Sequence, residues 1–242
     1  MKNILTQSYN LSTSTSFMRK ITLTNVKNKD LSSQLWLRRQ LSDPYVQKAK
    51  VMNYRCRSAF KLLEINEKYK FLRPGIIVID CGAAPGSWTQ VAVTEVKGTN
   101  TSNKELGKVI AIDKQQLYPI EGATILGNMD FTKESTQILL KSELGTSQAN
   151  VVLSDMAPNV TGIREMDNEN MMSLCHSVLK FAIQVTEIHG TLLLKLWQCG
   201  QTKCLENNMS QFYQNVKFVK PKSSRADSAE IFLLGRNFKG LR

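Results

Sequence analysis

Short, almost wholly apolar runs alternate with amphipathic stretches along most of this chain. Ile76–Asp80, Val109–Asp113 and Val151–Asp155 are aliphatic runs ending at a carboxylate. Ala123–Leu126 is weaker, and Thr191–Trp197 is almost wholly apolar apart from Lys195. Val216–Val219 and Glu230–Leu234 complete a set of seven. Runs of this length without polar alternation read as strands buried on both faces, which happens when helices cover a parallel sheet on each side. Helical spacing over Ser58–Tyr69, Ser87–Val96, Thr132–Leu144 and Met171–Ile188 supplies those helices. The pattern predicts an α/β fold, a single domain over residues 31–242, and a polar surface insertion at Lys97–Gly107.

Composition changes this picture in two places. Thirty-two Lys and Arg against 20 Asp and Glu give a net charge of +12, which favours a polyanionic partner through counterion release. The charge is uneven. Met1–Lys29 contains no acidic residue, five cations (one of them Arg) and a Ser/Thr-rich stretch at Ser12–Ser16. That is the make-up of an organellar transit peptide, with a disordered basic arm that touches RNA as the alternative. Between Trp36 and Lys61, cations from Arg38 onward interleave with Trp36, Tyr45, Tyr54 and Phe60, a mixture suited to phosphate contact and base stacking. The five cysteines are scattered and only two histidines exist, so the sequence offers no zinc-ligand set and reads as reduced thiols. No apolar run reaches the roughly 20 residues of a membrane span.

The candidate chemistry begins where the first strand ends, in Asp80-Cys81-Gly82-Ala83-Ala84-Pro85-Gly86-Ser87-Trp88. In an open α/β sheet, ligands bind beyond the carboxyl ends of the strands. Small residues there let backbone approach a ligand, and the next helix offers free amides. Asp113, at the end of the second strand, suits a ribose diol, and Asp130, after the third, suits an adenine edge. A dinucleotide loop reads G-x-G-x-x-G, whereas Gly82 and Gly86 are four apart; a nucleoside joined to an amino acid fits better than a pyrophosphate. A nicotinamide-dependent oxidoreductase is disfavoured on that spacing.

The G-A-A-P-G-S-W run, Ser154-Asp155-Met156-Ala157-Pro158-Asn159 and Ser223-Ser224-Arg225-Ala226 together resemble the RrmJ/FtsJ family of RNA ribose 2′-O-methyltransferases, over about residues 32 to 236. The resemblance implies a Rossmann-like methyltransferase fold and S-adenosylmethionine as cofactor. It implies cofactor contacts from Gly82, Pro85, Gly86, Ser87, Trp88, Asp113, Met129, Asp130 and Asp155. Ser87 stands where many members have a second glycine. The family's catalytic Lys-Asp-Lys-Glu tetrad matches Lys61, Asp155, Lys195 and Glu230.

Two of these four carry a signal of their own. A lysine inside an apolar strand needs a partner or the strand's end, because an unpaired ammonium is costly to bury, and Asp155 ends the preceding strand. A structural ion pair and a catalytic one both satisfy that requirement. A ribose hydroxyl is a weak nucleophile, so its proton must leave as it attacks the methyl group, and a positioned base typically contributes ~10²–10⁴-fold. Lys195 is assigned as that base, with Lys61, Asp155 and Glu230 as positioning and electrostatic partners. A lysine base must be neutral; burial and a second cation favour that form, whereas carboxylates oppose it. Arg55, Arg57, Lys220, Lys222 and Arg225 are the expected RNA contacts.

With its transit-like leader and little beyond the family core, the chain looks most like the family's mitochondrial members, which methylate a uridine ribose of large-subunit rRNA. That implies a mitochondrial matrix location, large-subunit rRNA or the assembling mitochondrial large subunit as partner, and a monomer. A tRNA ribose methyltransferase of the same family and a non-catalytic rRNA-binding assembly factor are the alternatives.

Overall fold

The computed structural model describes residues 31–97 and 107–241. Two compact units divide at Asp43/Pro44. In the first, one helix is described, α1 (Leu31–Ser42). The second holds α2 (Pro44–Val51), α3 (Ala59–Tyr69), β1 (Ile77–Cys81), α4 (Ser87–Lys97), β2 (Lys108–Ile112), β3 (Ala123–Leu126), α5 (Glu134–Leu144), β4 (Ala149–Ser154), α6 (Arg164–Val185), β5 (Thr186–Trp197), α7 (Thr202–Phe212), β6 (Tyr213–Val219) and β7 (Glu230–Phe238).

The seven strands form one sheet in the order β3-β2-β1-β4-β5-β7-β6. The first five are parallel, and β7 runs antiparallel between β5 and β6. The chain leaves β1 towards β2 and β3, then returns to lay β4 on β1's other side. The β1/β4 gap is therefore the topological switch point, where α/β sheets bind ligands. Alternation along the strands splits the core in two. Ile79, Ile110, Val152, Leu192, Leu194 and Leu233 pack with residues of α5, α6 and α7. Val78, Val109, Leu153, Leu193, Phe232 and Leu234 pack with α3 and α4. This is the expected α/β sheet covered on both faces.

The differences from expectation lie mostly at element ends. α6 starts seven residues before Met171, because its first two turns, REMDNEN, are largely exposed and lack an apolar rhythm. It stops at Val185, and the segment expected to continue it to Ile188 belongs to β5. The sequence pattern also passed over α2 and α7. In α7, Leu205 and Met209 are buried at helical spacing within an otherwise polar segment. The insertion expected at Lys97–Gly107 lies, but for its two ends, outside the described residues, as does the leader. No described helix is long and apolar enough to cross a membrane.

Candidate active site

The sheet's register brings the expected site residues into one row. The last paired row runs through Leu126, Ile112, Cys81, Ser154 and Leu194 on β3, β2, β1, β4 and β5. One residue further along three of these strands stand Asp113, Gly82 and Asp155, with Lys195 beside them on β5. Neighbouring strands are ~4.8 Å apart, so these residues share the sheet's carboxyl edge across the switch point. Parity then chooses their face. Leu153, Leu193 and Phe232 pack on the α3/α4 side. Asp155, Lys195 and Glu230, each two residues away along its strand, therefore emerge on that side, where the first turn of α3 presents Lys61.

The four side chains form two linked pairs. Lys195 Nζ lies 3.1 Å from Asp155 Oδ1 and donates to the Asp155 carbonyl at 2.5 Å. Lys61 Nζ donates to Glu230 Oε2 at 2.7 Å. Side-chain exposures of 11–16% mean that solvent screens these pairs little. Hydroxyls hold the carboxylates from outside: Ser58 donates to Asp155 Oδ2, and Ser224 donates to Glu230 Oε1 at 2.8 Å. Burial alone would raise the Asp155 pKa. The Lys195 and Lys61 ammoniums and the Ser58 hydroxyl outweigh burial and leave it below the usual carboxylate value.

Asp155 and Lys195, but not Lys61 or Glu230, line a cavity of about 660 Å³ together with Gly82, Ala84, Asp113 and Asp130, with Met156–Asn159 and one face of α6 (Asn170, Ser173, Leu174, Ser177) completing the wall. That volume lies within the range of cofactor pockets. Asp113 is aimed by backbone: Ala84 N and Gln115 N donate to its two oxygens at 2.9 and 2.7 Å. Asp130 accepts from the Thr132 hydroxyl and amide, which together hold its pKa below the ordinary value. Gly82 has φ +76°, and a Cβ there would stand 2.0 Å from Met156 Cγ. The backbone is thus held against the cavity wall in a conformation that needs glycine.

Several expected contacts sit behind the cavity rather than on its wall. Trp88 is buried, stacks 5.7 Å from Phe232 and donates from Nε1 to Ser58 O at 2.9 Å, so it positions the serine that holds Asp155. Pro85, Gly86, Ser87 and Met129 are not part of the wall either. Arg55, expected on RNA, donates to Pro85 O and Tyr118 O at 2.9 and 3.0 Å from Nη1, and to Pro119 O at 2.8 Å from Nη2. It clasps the glycine-rich loop to the loop that follows Asp113. Arg57 donates to Ser223 O and lies 5.5 Å over the Tyr45 ring. Both arginines therefore have intramolecular work in this structure. Lys222 is exposed, and Lys220 donates to Ser228 O at 2.9 Å beside Glu230. Sequence reasoning gave no role to Ser58, Ser224 or the Ser173/Ser177 face of α6. The i, i+4 serines were a readable signal, but only for a helix known to face the site.

Asp80, beneath the loop, is wholly buried, accepts from Thr89 Oγ1 at 2.7 Å and has no partner on Oδ1. Its pKa is pushed up to about 7, chiefly by burial, with Asp155 and Asp113 adding to the rise and the Thr89 hydroxyl opposing it. A folded pKa above the unfolded value means that the native state holds the proton more tightly. Stability should therefore fall as pH rises from about 4 to about 7, by on the order of 4 kcal/mol, and level off above that. Asp80→Asn should flatten this part of the stability curve; thermal unfolding of both proteins from pH 5 to 8 checks it, and parallel curves would contradict it.

Fold and site together define a Rossmann-like α/β enzyme with a nucleoside-sized cavity beside a lysine–carboxylate pair. Comparison with known proteins supplies the family. The model for FtsJ-like methyltransferases matches residues 54–238. The chain is 53% identical over 220 residues to rRNA methyltransferase 2, mitochondrial, of Drosophila melanogaster, covering 89% of this chain and 87% of that one. It is 45% identical to ribosomal RNA large subunit methyltransferase E of Parvibaculum lavamentivorans, covering 91% and 87%. A crystal structure described as a ribosomal RNA methyltransferase from Plasmodium falciparum superposes with a TM-score of 0.67 at 32% identity, over 78% of this chain and all of that one. The chain belongs to the FtsJ-like methyltransferase family and is a methyltransferase.

Proposed function

We propose that this enzyme transfers a methyl group from S-adenosylmethionine to the 2′-hydroxyl of a uridine ribose in mitochondrial large-subunit rRNA, with Lys195 as the base. The observation that carries the reading is the single row Asp113–Gly82–Asp155–Lys195, which sets a ribose-binding acid and a half-buried lysine on the same cavity. The names of the Drosophila and bacterial relatives support large-subunit rRNA as substrate, and the Drosophila name supports mitochondria. The acid-free segment at residues 1–29 is the targeting leader in this reading.

The cavity fits the cofactor. Asp113 would accept from the ribose diol, Asp130 would face the adenine, and the Gly82 backbone would lie against the amino-acid end. When bound, S-adenosylmethionine supplies an electrophilic methyl on a sulfonium. The protein's part is to place a ribose hydroxyl in line with that methyl and to receive its proton at Lys195 Nζ. Asp155, held by Ser58, fixes the amine through two contacts. Lys61, fixed by Glu230, places positive charge where the RNA backbone arrives. All four residues come from one chain, so a monomer suffices.

In this scheme Arg55 serves the cofactor. Arg55→Ala removes three charge-assisted bonds between two cofactor loops, and S-adenosylmethionine affinity should fall about tenfold or more. Calorimetric titration of the cofactor checks this, alongside RNA affinity. A loss confined to RNA would return Arg55 to the RNA surface. Methyl transfer to large-subunit rRNA, followed by mapping of the modified nucleotide, tests the substrate; methylation of tRNA but not rRNA would overturn it.

A further inference from the structure

A second concavity, of about 160 Å³, lies at the far end of the β6–β7 edge, lined by Tyr69, Asn215, Lys217, Leu234, Arg236 and Asn237. Register explains why these residues meet. Asn215 pairs with Arg236 and Lys217 with Leu234, so all four share one face of the sheet, with Lys217 and Arg236 on the diagonal. Buried Leu234 forms the floor, and Tyr69, at the end of α3, contributes to the wall. Two cations thus face one small bowl that also holds two amide side chains. Among the described residues neither Lys217 nor Arg236 has a carboxylate partner, whereas Lys61 and Lys195 each have one. Like charges on a cross-strand diagonal repel, and an anion between them would turn that repulsion into attraction.

We propose that this bowl binds a backbone phosphate of the RNA substrate, at a point flanking the methylated ribose; this rests on the RNA reading above. Charge continuity supports RNA as the source of the anion. β6, the sheet's edge strand, carries Lys217 and ends at Val219, and the segment that follows it towards Glu230 carries Lys220, Lys222 and Arg225. Arg236 stands six residues from Glu230 along β7, about 20 Å at strand rise. An RNA long enough to include the neighbours of its target nucleotide spans that distance, whereas a minimal oligonucleotide does not. The bowl selects nothing by base identity. It fixes orientation and register, as phosphate contacts do.

The test uses the full chain and two variants, Lys217→Gln and Arg236→Gln. Cofactor affinity serves as the folding control, and exposed Lys217 is the safer of the two substitutions. With a long rRNA fragment, each variant should raise KM about three- to tenfold with kcat unchanged, and should reduce the slope of log affinity against log salt by about 1. With a minimal oligonucleotide around the target ribose, both variants should match the parent. Unchanged KM and salt slope on the long fragment, with Arg225→Gln still lowering affinity, would place the RNA elsewhere and overturn the proposal while leaving the function intact. Inorganic phosphate binding that Arg236→Gln abolishes, without any change in RNA affinity, would make the bowl a free-anion site and overturn it as well. Failure of the parent chain to bind or methylate any RNA would remove the functional reading and this proposal together.

Discussion

Lys195→Ala should slow single-turnover methyl transfer by ~10²–10⁴-fold, the usual contribution of a positioned base, while leaving cofactor affinity within a few fold. The substitution removes only the amine and its stem from β5, whose pairing with β7 runs on to Trp197. Asp155 keeps the Ser58 hydroxyl and the nearby Lys61 charge, so the carboxylate is not stranded. Lys195→Arg separates the two roles a lysine has here. Arginine keeps the charge and its hydrogen bonds to Asp155, but it does not take up a proton as a neutral base. Full rescue by arginine would make Lys195 a positioning residue, and continued inactivity would leave it as the base. A rapid-quench measurement with bound cofactor reads this step without interference from product release.

Asp155→Ala should be the most damaging single change to the site as a whole. Asp155 touches both Ser58 and Lys195 and also lies in the field of the Lys61 charge. Its loss leaves the poorly solvated Lys195 ammonium without its carboxylate, while Lys61 keeps Glu230, and removing one partner of such a pair typically destabilises by roughly 3–5 kcal/mol. Because the folded pKa of Asp155 lies below its unfolded value, its contribution to stability is present above about pH 4 and is lost as pH falls through the folded value. Denaturant unfolding should therefore show Asp155→Ala less stable than the parent at neutral pH, with the gap narrowing towards pH 3. This window is separate from that of Asp80, whose effect lies between about pH 4 and 7. A constant gap across the range would mean that Asp155 acts by shape rather than by charge.

Legibility from sequence followed a physical divide. Central strands could be read because residues buried on both faces must be apolar, and Val151–Leu153 or Leu192–Leu194 leave no other reading. Within such a run Lys195 stood out for the same reason. Amphipathic elements were harder. α7 buries only a narrow stripe within a polar segment, and the first turns of α6 bury almost nothing, so neither offered enough apolar residues to stand out. Within the site, the tetrad was read through a resemblance, while the parity that gathers Asp155, Lys195 and Glu230 on one face appears only once strand register is known. Arg55 shows the opposite limit. A basic residue among aromatics looks the same in sequence whether its donors meet phosphates or the protein's own carbonyls.

Methyl transfer to a ribose hydroxyl, rather than to a base, is what the site's geometry requires of this enzyme. Large-subunit rRNA incubated with the full chain and isotopically labelled S-adenosylmethionine, then digested to nucleosides and resolved by mass spectrometry, tests it directly. The expected result is label in a single 2′-O-methylated nucleoside, uridine, and its loss with Lys195→Ala. Label on a base, or a Lys195→Ala enzyme that still methylates the ribose at the parental rate, would contradict the account.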